Sequence, residues 1–129
     1  MPTVKALAVK AVLPAQSITA NVNGPAFDLL PYDDKAIIAM NSGATGGAGQ
    51  TLDMKIQHSA DGATNWADVV VSPQGTNLAF AQVTNAGASS QQIEFNTNDL
   101  KRYIRAVATI GGGATVAAGV SIIAQKQSV

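Results

Sequence analysis

The chain has 129 residues, with eight basic and eight acidic side chains and no cysteine. That is the length of one domain. Balanced charge excludes the Lys and Arg excess that nucleic-acid phosphates demand, and the missing thiols exclude disulfides and cysteine metal sites. Hydrophobic residues make up 47% but aromatics only 5%, so the core must come from alanine and branched aliphatic side chains, which suit closely packed sheets.

The N-terminal stretch MPTVKALAVKAVLPAQS is apolar but interrupted by Lys5 and Lys10. A signal peptide needs about 7 to 15 uninterrupted apolar residues, and no segment approaches the roughly 18 of a membrane span. A cytoplasmic origin without a membrane partner is expected. Residues 4–13 read as a strand, yet Lys5 and Lys10 fall on opposite faces of a period-2 element, which is awkward for a strand buried on one side. Residues 1–16 are therefore set apart as an N-terminal arm or edge strand. Val4, Leu7, Val9, Val12 and Leu13 are its candidate contacts with another subunit or a partner protein. Residues 17–129 form the remaining domain.

From there, alternation dominates and helical spacing is nearly absent. Residues 17–22 put Ile18, Ala20 and Val22 on one face. The acidic group Asp28, Asp33 and Asp34 lacks the glycine-punctuated loop of a calcium site and reads as a solvated turn. Residues 35–40 are a short apolar run, expected to be a strand covered on both sides. The glycine-rich NSGATGGAGQ that follows lacks the Lys-Ser/Thr pair of a phosphate loop.

Thr51–Ser59 aligns Leu52, Met54, Ile56 and His58 against Thr51, Asp53, Lys55 and Gln57, the pattern of a half-buried antiparallel strand. Asp61-Gly62 supplies turn chemistry, and residues 66–71 return as a second strand. Pro73 and Gly75 suggest a loop before a short strand ending near residue 83. Residues 91–96 turn Ile93 and Phe95 inward. Residues 102–110 align Ile104, Ala106, Ala108 and Ile110, and 115–125 align Val116, Ala118, Val120, Ile122 and Ala124. Seven to nine strands in one small chain predict an all-β fold, a single antiparallel β-sandwich or jelly-roll-like domain.

Little here carries chemistry. His58 is the only histidine and has no cysteine near it or elsewhere, whereas metal and catalytic histidines need companions. It reads as a packed or rim residue. Trp66, the only tryptophan, is expected to plug the sheet edge, because an isolated large aromatic belongs to the core more often than to a sugar platform. Asp61, Gly62 and Trp66 together read as a brace for the hairpin. Lys101, Arg102 and Arg105 do not share one face of a strand. No triad, dyad or cofactor fingerprint is present, so no enzyme activity, metal or cofactor is expected.

The ordered runs LDMKIQHSADGATNWADV, FAQVTNAG, QQIEFNTNDLKRYIRAVATIGGG and ATVAAGVSIIAQ resemble small virion proteins of tailed bacteriophages, the group that includes capsid decoration or cement proteins. The resemblance covers about residues 36–125. It implies a β-sandwich or jelly-roll subunit on the capsid exterior that clamps neighbouring major capsid proteins, often as a homotrimer. The Ser-x-Asp-Gly-x-x-x-Trp piece is also similar to hairpins of carbohydrate-binding β-sandwiches. A carbohydrate-binding or tail- or neck-associated module on the virion is the alternative.

Overall fold

The computed structural model describes residues 7–71 and 76–126. The described residues form eleven strands and a single 3₁₀ turn at Thr97–Asp99, with no α-helix. A four-stranded antiparallel sheet runs β1 (Leu7–Ile18), β11 (Val116–Lys126), β4 (Tyr32–Ser42), β9 (Ser89–Asn96). A five-stranded sheet runs β2 (Val22–Asn23), β10 (Tyr103–Gly111), β5 (Thr51–Ser59), β6 (Ala67–Asp68), with β3 (Phe27–Asp28) also on β10. A small pair, β7 (Val70–Val71) and β8 (Thr76–Asn77), completes the set.

The pairing is nested. β1 pairs with β11, β2 and β3 with β10, β4 with β9, and β5 with β6. Outermost pairs with outermost and innermost with innermost, a ribbon of antiparallel pairs rolled into two layers. That is a jelly roll.

Alternation builds the core between the layers. β11 buries Val116, Ala118, Val120, Ile122 and Ala124, β10 buries Ile104, Ala106 and Ala108, and β5 buries Leu52, Met54 and Ile56. Each set shares one face, as period 2 requires. The segment after β8 lies along β5, where Phe80 N–H donates to Met54 O and Leu52 and Val83 exchange backbone hydrogen bonds. It adds Leu78, Phe80 and Val83 to the core.

β1 settles where the N-terminal stretch goes from Leu7 onward: it is the edge strand of the four-stranded sheet. Register shifts between Ala11 and Leu13, and again between Leu13 and Gln16, mark β-bulges. A bulge lets consecutive residues face the same way, and Val12 and Leu13 are both buried, at 0% and 1% exposure. They cannot serve as contact residues. Leu7 and Val9 are exposed, at 60% and 67%, and Val4 lies outside the described residues. Lys10 takes an inward-facing position opposite Ile122 yet remains exposed, because at a sheet edge the long stem carries its ammonium past the rim. Lys10 thus reaches solvent from an edge strand, and Lys5 lies outside the described residues.

The expectation that residues 35–40 are covered on both sides needs correcting. Ala36, Ile38 and Met40 are buried, but Ile37 and Ala39 are only half-buried. The outward face of the four-stranded sheet is apolar across β1, β11 and β4 and is bordered on β9 by Gln92 and by Glu94, which pairs with Lys35 at 3.2 Å.

Candidate functional site

The hairpin after β5 is organised by Asp61. Its carboxylate accepts hydrogen bonds from the Thr64 hydroxyl at 2.6 Å and from the Thr64 and Ala63 amides, each at 2.9 Å. The buried Ser59 hydroxyl stands 2.8 Å from Asp61 Oδ1 and accepts from the Gly62 amide. This shell, led by the Thr64 hydroxyl, holds the Asp61 carboxyl far below the ordinary carboxylate range. Gly62 has φ +73°, and a Cβ there would come within 2.9 Å of the Tyr103 ring. Only glycine meets both demands.

The turn delivers Trp66 to the outward face of the five-stranded sheet. Asn65 adopts φ 56°, and Trp66 is half-buried rather than enclosed. The expected core plug is thus corrected. The inward phase of this return segment belongs to Val69, at 0% exposure, and not to Trp66. Trp66 instead lies against Arg105, whose guanidinium carbon is 4.5 Å from the ring centroid, a cation–π arrangement.

Arg105 ends a chain of side chains crossing three strands. Its Nε and Nη2 donate to Gln57 Oε1 at 3.0 and 2.8 Å. Gln57 Nε2 donates to Asp68 Oδ1 at 3.0 Å, and Lys55 Nζ pairs with Asp68 at 3.0 Å. Register explains the row, since Gln57 stands opposite Arg105 on one side and Asp68 on the other. The hydrogen bonds from Gln57 and then Lys55 lower the pKa of Asp68. Further along the same face, Gln82 Nε2 donates to Asp53.

The opposite sheet offers different chemistry. On its outward side Val9, Ile123 and Ile37 stand in a row, and Ala11, Ser121 and Ala39 in the next. Beside them an open groove of about 540 Å³ is floored by Ala117 and Gly119 and flanked by Ala15, Gln16, Asn41 and Ser90, with no charged residue in its lining. Gly119 makes room for the β1 bulge: a Cβ there would approach Ala15 Cα to 3.0 Å.

The remaining sequence candidates fall elsewhere. His58 sits inward opposite Ile104, half-buried, and its Nδ1 accepts from the Lys101 amide at 3.1 Å. Burial, then the charge of Lys101, push its pKa below the ordinary 6.5. Asp28 holds Arg102 through two bonds of 3.0 Å, away from Asp33 and Asp34 in role. Among the described residues no three His, Asp or Glu side chains gather where a metal could bind. The Arg105 row was missed from sequence. Its members share outward phases of their strands, but residues 48 positions apart meet only through register.

No protein-family model and no curated protein sequence matches the chain. Solved structures do. The SPBc2 prophage-derived protein YomS superposes with a TM-score of 0.51 at 9% identity, over 95% of this chain and 97% of that one. The VP2 subviral particle protein of infectious bursal disease virus gives 0.55 at 11% identity, over 93% of this chain and 33% of VP2. A Clostridium thermocellum xylanase, Xyn10B, comprising CBM22-1 and GH10 modules with xylohexaose, gives 0.53 at 8% identity, over 95% of this chain and 25% of that one. What these share with the chain is the fold. The chain spans about a third of VP2 and a quarter of the xylanase.

Proposed function

We propose that this chain is a non-enzymatic structural protein of a tailed-phage virion, a capsid decoration or cement protein that binds the outer surface of the major capsid protein shell. The observation that carries the reading is the open face of the four-stranded sheet: aliphatic and small side chains in register across β1, β11 and β4, beside a groove without charge. Interface centres are depleted in charged residues, and an exposed apolar face on a domain this size marks a contact surface. The fold shared with a prophage protein and a viral capsid protein supports the same reading. Assembly as a homotrimer would repeat these contacts around each symmetry axis, and the net charge of zero removes repulsion between copies.

The test is binding to shells assembled from the major capsid protein encoded in the same genome. Purified protein should co-sediment with the shells saturably and raise their temperature of rupture. Ser121→Arg, which puts a cation in the middle of the open face, should abolish binding while leaving the fold intact. Absence of binding to shells, or unimpaired binding by Ser121→Arg, overturns the proposal. Binding to tail tubes instead would place the protein at the tail or neck.

A further inference from the structure

The Arg105 row is more elaborate than a stray surface contact. The chain has two arginines and six lysines. Arg102 is neutralised by Asp28 at 3.0 Å, whereas Arg105 has no carboxylate partner among the described residues. Among the described residues its hydrogen-bonding partner is the neutral oxygen of Gln57. The Gln57 amide is itself oriented by Asp68, and Asp68 is anchored by Lys55. Trp66 covers one side of the guanidinium. Three of the five N–H groups of an arginine are left by two bonds to Gln57. The planar fork is therefore fixed in place with its charge unanswered.

We infer that Arg105 is a built receptor for a carboxylate, and that its partner is an acidic side chain on the surface of a neighbouring protein in the assembly. Charge complementarity identifies the chemistry, because a fixed guanidinium fork matches a carboxylate bidentately. Shape identifies the source. The row lies on an open sheet face, while the groove described above belongs to the opposite sheet, so a small acid would be held from one side only. A protein surface would cover Trp66 and Arg105 together, the two residue types most enriched at the energetic centres of interfaces. The domain then carries two unlike contact faces on opposite sides of the sandwich, one apolar and one centred on Arg105 and Trp66. That is what a subunit bridging two neighbours needs. The partner's place in a virion rests on the function proposed above; the carboxylate site does not.

Two experiments on the full chain test this separately. In the first, poly-L-glutamate is titrated at low salt and the Trp66 indole resonance is followed. Wild type should respond saturably. Arg105→Gln and Arg105→Lys should both lose the response, since lysine keeps the charge but not the fork, and Lys101→Gln should retain it. If Arg105→Lys binds as wild type, or Lys101→Gln fails equally, the site is only generic charge and the inference falls. Tighter binding of polygalacturonate than of poly-L-glutamate at equal carboxylate concentration would replace the protein partner with an acidic glycan. In the second, Arg105→Gln should weaken binding to the capsid shells about 30-fold or more and remove its salt dependence. Shell binding that is lost in Ser121→Arg but unchanged in Arg105→Gln would leave the proposed function standing and overturn this inference.

Discussion

Two residues four positions apart in β1 have opposite fates, and that contrast can be measured. Leu13 is 1% exposed and Val9 67%. Leu13→Ala removes three carbons, worth about 2.4 kcal/mol at roughly 0.8 kcal/mol each. Any cavity that persists adds about 24 cal/mol per Å³. Leu13 sits at a bulge on an edge strand and against Gly24, whose missing side chain would lie 3.4 Å from Leu13 Cδ1. The strand can therefore sink inward and close part of the void. We expect a loss of about 2.5–4 kcal/mol, in the middle of the range for such substitutions, and a fall in Tm of about 10 °C. Val9→Ala should stay within about 0.5 kcal/mol. Urea unfolding followed by circular dichroism gives both values. A Leu13→Ala loss below about 1 kcal/mol would mean that this strand does not pack against the body, and the reasoning would fail. By the same logic, deleting residues 1–13 removes core and should unfold the domain rather than free it of an arm.

Gly62→Ala should cost about 1–2 kcal/mol from its left-handed backbone alone, with more from the Tyr103 ring; a neutral result in thermal unfolding would contradict the turn geometry. Trp66→Ala should cost only about 1–2 kcal/mol, below the 3–5 typical of buried aromatics, because the ring is half-exposed. A larger loss in the same urea assay would return it to the core. For His58 the folded pKa is lowered, so the unfolded chain takes up the proton first. Its contribution to stability is complete above pH 6.5 and is lost as pH falls through the lower folded value. The His58 Cε1 resonance should titrate below 6.5, and His58→Gln should flatten the stability profile between pH 7 and 5. A folded midpoint at or above 6.5 would refute the sign.

What could be read from the chain was what repeats every two residues. β5 was delimited as Thr51–Ser59 in sequence and in structure alike, and the inward sets of β10 and β11 followed from alternation. The sandwich follows from these. What escaped was whatever depends on partners far along the chain. The β1 bulges break the period just where Val12 and Leu13 need it broken, and nothing local announces them. From residue 36 to 40 the run is apolar on both phases, and that pattern cannot distinguish a second covering layer from an open face. Size alone argues for a core place for Trp66, but Val69 holds the inward phase of that segment. The Arg105 row required the register of three strands.

The nested pairing also governs how the chain can assemble itself. β11, the last strand described, lies in the interior of its sheet, between β1 and β4. Until it inserts, β1 has no neighbour and β4 has only β9. During synthesis the five-stranded layer can form first, through β5 and β10, while its apolar side waits for a cover. Closure then depends on joining strands that begin more than a hundred residues apart in sequence, at Leu7 and Val116. Such long-range pairing makes for slow folding, milliseconds to seconds rather than microseconds, with a sticky half-built layer in between. The final strand acts as a zip, and a chain truncated before it should accumulate as aggregate instead of as a smaller sandwich.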